Sequence, residues 1–167
     1  MLEIALESDD EWDSSSGWLP LVRKAAEAAV AESDYPELAR SDRSVEISVT
    51  LTSDDQVRSL NAKWRGKDKP TNVLSFPMAD ERDLAAANVA DAELLLGDIV
   101  LARGVCETEA REKGISVADH AVHLVVHGTL HLLGYDHHDE RDAADMEARE
   151  VRALKRLGID NPYEVVA

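Results

Sequence analysis

The sequence predicts an α+β protein: a single domain over residues 1–167, in which a small mixed four-stranded sheet is packed by about five helices. Three observations lead to this prediction. Segments that alternate apolar and polar residues, as half-buried strands do, are interleaved with segments of helical periodicity. A length of 167 residues corresponds to one domain. The sequence also contains no internal repeat and no linker-like stretch that would divide it.

Four segments have the apolar pattern of strands. Residues 1–8 and 45–51 alternate apolar and polar side chains. Residues 73–76 form a short apolar run that a proline ends, as in an edge strand. Residues 94–102 form a longer apolar run that a glycine interrupts. We expect these four strands to share one sheet.

Five segments are predicted as helices from their periodicity and their boundary residues. Ser53 and Gln56 form a capping-box pattern at one start, and Gly114 and Gly134 can take the left-handed conformation at two ends. The acidic, alanine-rich stretch 79–93 is expected to be a variable, mobile excursion. The predicted helices are Leu19–Ser33, Asp54–Trp64, Arg103–Lys113, Val117–Leu133 and a last helix from near Asp139 to before Gly158.

Charge and cysteine content restrict the class of protein. The 18 basic and 34 acidic residues give a net charge of −16, which argues against unspecific nucleic-acid binding but not against a local basic patch. The single cysteine, Cys106, can form neither an internal disulfide nor a four-sulfur metal site. No apolar run approaches the roughly 18 residues of a membrane span, and the acidic start does not resemble a targeting signal. We therefore expect a soluble, cytoplasmic protein without a membrane partner.

All six histidines lie between residues 120 and 138, and three of them have the spacing of a metal site. His127 and His131 are four residues apart on a predicted helix, so their side chains project from one face in adjacent turns. Gly134 can turn the chain sharply, which brings His137 back toward the same point. Three imidazoles with a free fourth position are typical of catalytic zinc sites. The sequence therefore predicts a metal site at the end of a central helix.

Three neighbouring residues bear on the choice of ligands and of reaction. His123 lies four residues before His127 but has no loop ligand at matching spacing, so we interpret it as a supporting or packing residue. His138 competes with His137, which the spacing after the glycine favours. The metalloprotease pattern H-E-x-x-H-x-x-G-x-x-H has a glutamate where this chain has Gly128. The motif thus predicts metal-assisted hydrolysis and argues against peptide substrates.

Three segments of the chain resemble the YbeY family of bacterial endoribonucleases and rRNA maturation factors. HGTLHLLGYDH (127–137) resembles the family's histidine signature. NAKWRGKDKPTNVLSFP (61–77) is similar to the family's Asn-x3-Arg segment and the Thr-Asp/Asn-Val-Leu-Ser-Phe-Pro that follows it, and GDI (97–99) to its Gly-Asp-Ile strand. Met146 and Glu150 fall where the family's C-terminal helix has them.

The resemblance implies a single-domain α+β fold and one zinc ion per chain, held by His127, His131 and His137. It implies single-strand-specific cleavage of RNA, with roles in 16S rRNA maturation and ribosome quality control. The expected partners are then the 16S rRNA precursor, the small ribosomal subunit and ribosome-associated proteins. The resemblance also makes Arg65 the functional arginine near the metal, so Arg65 and His127 are the expected catalytic residues. Asn72 stands where many members have Asp.

Basic side chains alternate along residues 63–69, which we call the basic segment. The segment lies next to the family-matched TNVLSFP, so we predict that it binds RNA phosphates rather than being an ordinary solvated loop. Arg65 can offer two parallel donors to phosphate oxygens, which lysine cannot. The charged residues of the segment sum to +3 in a chain of net charge −16 and are Lys63, Arg65, Lys67, Asp68 and Lys69.

Three side chains near these motifs each have two interpretations. Trp64 can stack a base, but its helical spacing with Leu60 and Val57 favours core packing. Asp98 can orient a metal-binding histidine or satisfy buried backbone donors, and the sequence does not separate the two. For Asp136 we favour capping of the turn over a proton-shuttle role.

Two other functions compete with that of an endoribonuclease. One is another metal-dependent hydrolase, such as a peptidase, against which Gly128 counts. The other is a non-catalytic, zinc-stabilised ribosome-assembly factor. A closed site, with a fourth ligand from Asp136 or His138, would favour that function.

Overall fold

A computed structural model describes residues 1–12, 17–40, 43–85 and 93–164 of the chain. Within these ranges it has four strands, six α-helices and one short 3-10 helix, Pro36–Ala39. In chain order, the strands and α-helices are β1 (Leu2–Ser8), α1 (Trp18–Ala31), β2 (Val45–Thr52), α2 (Asp54–Arg65), β3 (Val73–Pro77), α3 (Glu81–Ala85), β4 (Leu94–Ala102), α4 (Arg103–Lys113), α5 (Val117–Leu132) and α6 (Glu140–Arg156).

The four strands form one mixed sheet in the order β1-β2-β4-β3. Strands β1, β2 and β4 run parallel, whereas β3 pairs antiparallel with β4. The predicted α+β class and the mixed four-stranded sheet are thereby confirmed. Since β3 is the outer neighbour of β4, the chain from the end of α2 to β3 lies along this edge of the sheet.

Helix α5 is the central helix of the fold. It packs against β3 and β4 on one side and against α1, α4 and α6 on the others. Its residues are buried along most of its length, including His120 and His123. Near its C-terminal end, His127 and His131 are only partly buried, while Leu130 and Leu132 belong to the core. None of the described helices is long and apolar enough to cross a membrane.

Gly97 lets β3 approach β4 closely. A Cβ at this position would lie 2.2 Å from the backbone oxygen of Phe76, and the φ angle of +142° is one that side chains disfavour. The sequence predicts that Gly97 interrupts the strand, but β4 is continuous through this residue. The irregularity is a shift of register between β4 and β2, which falls between Glu46 and Ile47 of β2. The absence of a side chain at Gly97 therefore sets how closely β3 approaches β4.

The acidic stretch 79–93 contains a helix that the sequence analysis did not predict. In α3, the backbone N–H groups of Asp80 and Asp83 donate to each other's carboxylates at 3.0 and 2.9 Å, which is a reciprocal capping arrangement. Leu84 is buried and joins the main core. These two contacts explain why an acidic segment is helical here. The rest of the predicted excursion, residues 86–92, lies outside the described residues.

Candidate metal centre

Three histidines converge at the C-terminal end of α5. The Nε2 atoms of His127 and His131 are 3.0 Å apart. One ligand nitrogen from each of His127, His131 and His137 lies within 4.8 Å of the other two. Gly134, with φ +97°, turns the chain after α5 and returns His137 to the two helical histidines. In the described ranges this is the one group of three or more potential ligand side chains that could hold a metal ion.

The outer nitrogens of two of these rings are already hydrogen-bonded. His131 Nδ1 lies 2.8 Å from the backbone oxygen of Tyr135, and His127 Nδ1 contacts Oε1 of Glu150. Because both partners are acceptors, we assign the ring proton to Nδ1 in each case. Two unprotonated Nε2 atoms then face each other, an arrangement that a cation between them stabilises. The donor set therefore fits a metal ion.

The environment of His131 keeps its ring in the form that binds metal. Burial, followed by the neighbouring His127, lowers the pKa of His131 to about 4. The hydrogen bond from its ring to Tyr135 opposes this shift but does not cancel it. The ring is thus neutral at physiological pH.

Glu150 lies behind the candidate metal site, and the sequence analysis did not assign it a role. It is fully buried on α6 and contacts His127 through one oxygen and the Tyr163 hydroxyl through the other. Burial raises the pKa of this carboxyl, but the neighbouring His123 and His127 outweigh it, and the pKa lies at about 2. A carboxylate on the outer nitrogen of a metal-binding histidine fixes the ring and makes it more basic. It is Glu150, rather than Asp98, that contacts His127.

His127 and His131 line a cleft of about 500 Å³ between α5 and the α2–β3 segment, and His137 lies beside them. Arg65 lines the wall opposite the histidines, and its Nη2 donates to the backbone oxygen of Ser75 at 3.1 Å. Asn72 also lines this wall, where its amide donates to Glu109 at 3.0 Å and its oxygen accepts from the backbone of Val73 at 2.7 Å. The fold therefore brings Arg65 and the histidine cluster to the two sides of one open cleft.

The lysines of the basic segment lie outside the cleft lining. Lys63, Lys67 and Lys69 are exposed, and the acid between them, Asp68, is paired with Arg58 at 2.8 Å. Asp68 is the one carboxylate of the basic segment, and its pairing with Arg58 keeps it from pairing with the segment's own lysines. The structure thus places Arg65 in the cleft of the candidate metal centre and the lysines on the surface outside it.

The packing role predicted for Trp64 is wrong. Val57 and Leu60 pack in a small core beneath α2, but Trp64 is 63 % exposed and has the Lys63 ammonium 5.1 Å from its ring centre. The apolar face of α2 therefore ends at Leu60, and the side chain of Trp64 in the last turn faces solvent.

Asp136 and His138 do not complete a four-ligand site in the structure. Asp136 Oδ1 accepts from the backbone N–H of His137 at 2.7 Å, which is the turn-capping role predicted for it. His138 is exposed, and its Nε2 lies 3.3 Å from the other oxygen of Asp136. Gly128 is buried, and a Cβ there would lie 3.0 Å from the side chain of Ile99 on β4, so a peptidase-type glutamate at this position would clash with the sheet.

Fold and site together define an α+β protein with a three-histidine candidate metal centre in an open cleft. A family model described as Endoribonuclease YbeY matches residues 7–158. The chain therefore belongs to the YbeY family. A protein named Endoribonuclease YbeY from Rhizorhabdus wittichii is 48 % identical over 99 % of this chain and 98 % of its own length. Its namesake from Sphingopyxis alaskensis is 51 % identical over 98 % of each chain.

A solved structure agrees with the fold. The solution structure of TM1509 from Thermotoga maritima is 26 % identical in sequence and superposes with a TM-score of 0.54. The superposition covers 95 % of this chain and 92 % of that one. The likeness therefore extends over nearly the whole of both proteins.

Proposed function

We propose that this chain is a zinc-dependent, single-strand-specific endoribonuclease that acts in the cytoplasm in 16S rRNA maturation and ribosome quality control. Relatives of similar length that are named endoribonucleases support RNA as the substrate. The observation that carries the proposal is the convergence of three histidine nitrogens at an open cleft that His127, His131 and Arg65 line. One zinc ion per chain would be held by His127, His131 and His137.

A zinc ion with three histidine ligands supplies Lewis-acid chemistry toward a phosphoryl oxygen and lowers the pKa of bound water to about 7. The protein's own contribution begins with ring orientation. Glu150 and the backbone oxygen of Tyr135 hold the outer nitrogens of His127 and His131, so that both Nε2 atoms face the cleft. The absence of a further ligand side chain in the described ranges leaves a coordination position free for substrate or water.

Arg65 would bind the scissile phosphate from the opposite wall. Its bond to Ser75 fixes one edge of the guanidinium, and the remaining N–H groups can donate to two phosphate oxygens in parallel. Negative charge that develops on the phosphate is then stabilised by a cation that is already in position. The lysines of the basic segment would bind neighbouring phosphates of the strand.

The test compares cleavage of a 16S rRNA precursor fragment by the wild type, Arg65→Ala and Arg65→Lys, with bound metal quantified in each. We expect Arg65→Ala to lower the cleavage rate by about 100-fold or more while about one metal ion per chain is retained. Arg65→Lys should recover only part of the rate, because lysine lacks the paired donors. Arg152→Ala, on exposed α6 surface, is the matched control.

Three outcomes would contradict parts of this proposal. Equal cleavage by the wild type and Arg65→Ala would mean a contaminating nuclease or a wrongly assigned arginine. No cleavage by any metal-loaded protein would favour the non-catalytic assembly factor. Hydrolysis of peptides but not of RNA would favour the peptidase. The chemical structure of the product ends identifies the nucleophile. A 2′,3′-cyclic phosphate would exclude direct attack by water in the first step.

A further inference from the structure

Tyr163 follows α6 and reaches back to the buried carboxylate behind the metal site. Its ring is 41 % exposed, but its hydroxyl donates to Oε2 of Glu150. We propose that Tyr163 is a positioning residue: by fixing Glu150, it holds the His127 ring in the orientation that binds metal. This inference rests on the metal site proposed above, and it assigns a role in that site to a residue of the segment that follows α6.

The two oxygens of Glu150 have separate partners. Oε1 contacts His127 Nδ1, and Oε2 contacts the Tyr163 hydroxyl. The terminal torsion of a glutamate is broad, so a carboxylate held at one oxygen alone can rotate. A hydrogen-bond donor on the second oxygen restricts rotation of the carboxylate group. The orientation of this group in turn determines the orientation of the His127 ring that contacts its first oxygen. The hydroxyl thus acts on the metal site through one intervening residue.

The contacts of His123 determine which groups donate and which accept in these hydrogen bonds. Its Nε2 lies 3.4 Å from the Tyr163 hydroxyl and 3.7 Å from Glu150 Oε2, while its Nδ1 has no partner among the described residues. A neutral His123 with its proton on Nε2 leaves only an acceptor unpaired, so we assign that tautomer. The hydroxyl oxygen of Tyr163 then accepts from His123, and its proton is directed to Glu150. The three side chains therefore define one hydrogen-bond pattern around the carboxylate.

Tyr163→Phe removes only the hydroxyl, because the phenylalanine ring can keep the edge-to-face contact with His123, whose ring centre is 5.7 Å away. Zinc affinity is measured by competition with a chelator, and the geometry of the site by the absorption spectrum of the cobalt-substituted protein. Loss of a direct partner of a metal-binding histidine weakens affinity by about 10–100-fold. Tyr163 acts on the histidine through Glu150, so its effect should be smaller. We expect Tyr163→Phe to raise the Kd for zinc about three- to tenfold and to change the cobalt spectrum.

Tyr35→Phe is the matched control, since Tyr35 lies outside this network and packs against the core. It should keep the wild-type Kd and spectrum. A wild-type Kd and cobalt spectrum in a folded Tyr163→Phe protein would overturn the inference. Failure of the wild-type chain to bind one zinc ion would instead overturn the proposed metal site, and the inference with it.

If Tyr163→Phe does not fold, hydrogen exchange of the wild-type chain tests the same coupling. The Tyr163 backbone N–H donates to Asn161 Oδ1 at 2.8 Å, so its exchange rate reports on the docked segment. Coupling between two sites is reciprocal, and zinc should slow this exchange about three- to tenfold. An exchange rate that is the same with and without zinc would overturn the inference.

Discussion

At the residue scale, the protonation state of His131 follows from what surrounds its ring. His131 has its ordinary pKa of 6.5 lowered to about 4 by burial and by His127. The ordinary pKa applies in the unfolded chain, so as the pH falls the unfolded chain takes up this proton first. The neutral His131 ring therefore contributes stability to the folded state above pH 6.5, and this contribution is lost as the pH falls toward 4.

We therefore predict that the free energy of unfolding of the metal-free protein decreases between pH 6.5 and about 4, as measured by denaturant titration. Glu150, with its pKa lowered to about 2, contributes a second loss between its ordinary value of 4.5 and about 2. His131→Asn is the control for the first range, because it removes that titration and keeps the others. If the variant and the wild type lose stability in parallel from pH 6.5 to 4, the assignment to His131 is wrong.

The ligand spacing could be predicted from sequence because it is local. His127 and His131 share a helix face, and a glycine turn returns His137 after six residues. Glu150 could not be predicted in the same way, since its contact with His127 depends on how α6 packs against α5. One signal was present: Glu150 is a carboxylate on the buried stripe of α6, with Met146 four residues before it and Leu154 four after it.

At the element scale, β3 carries one wall of the cleft, and Gly97 sets its distance from β4. A Cβ at Gly97 would lie 2.2 Å from the Phe76 backbone oxygen, which cannot move without shifting the strand. Gly97→Ala should lower the free energy of unfolding by about 3 kcal/mol or more, because a steric clash adds to an unfavourable backbone conformation. Thermal or denaturant unfolding measures this loss.

Gly114→Ala is the matched control for that prediction. Gly114 ends α4 with φ +68°, and nothing lies within 4 Å of a Cβ there. It should lose only the backbone contribution, about 1–2 kcal/mol. Equal losses in the two variants would show that the close approach of β3 does not matter.

Elements with a clear period or cap were predictable, and those that depend on contacts were not. The Ser53 side chain accepts from the backbone N–H of Gln56 as its pattern predicts, and α2 begins there. Helix α3 was missed because its signal is two mutually capping aspartates and one buried leucine rather than a period. Trp64 was misassigned because periodicity does not show where the surface beneath a helix ends.

At the scale of the whole molecule, a chain of net charge −16 has to bind a polyanion through a small cationic area. If Arg65 and the three lysines of the basic segment each neutralise one phosphate, the slope of log association constant against log salt is about −3 for single-stranded RNA. Fluorescence anisotropy with labelled RNA and metal-free protein measures it without cleavage. Replacing Lys63, Lys67 and Lys69 by Gln should reduce the slope to about −1.

The chain offers a matched control for this prediction. It has six lysines, and the three outside the basic segment are Lys24, Lys113 and Lys155. Replacing those three by Gln changes the net charge by the same amount and should leave the slope near −3. A similar drop in both triple variants would mean that overall charge, not the basic segment, determines RNA binding.

The two walls of the cleft differ in how far apart their parts lie along the chain. The three histidines occupy an eleven-residue stretch of one helix and its following turn. Arg65, which lines the same cleft, lies more than sixty positions earlier, before a strand, β3, that pairs with β4. Closing a short loop costs little entropy and occurs fast, whereas long-range pairing is slow. In a folding chain, the turn that brings the three histidines together can therefore form before the wall that carries Arg65 is in place.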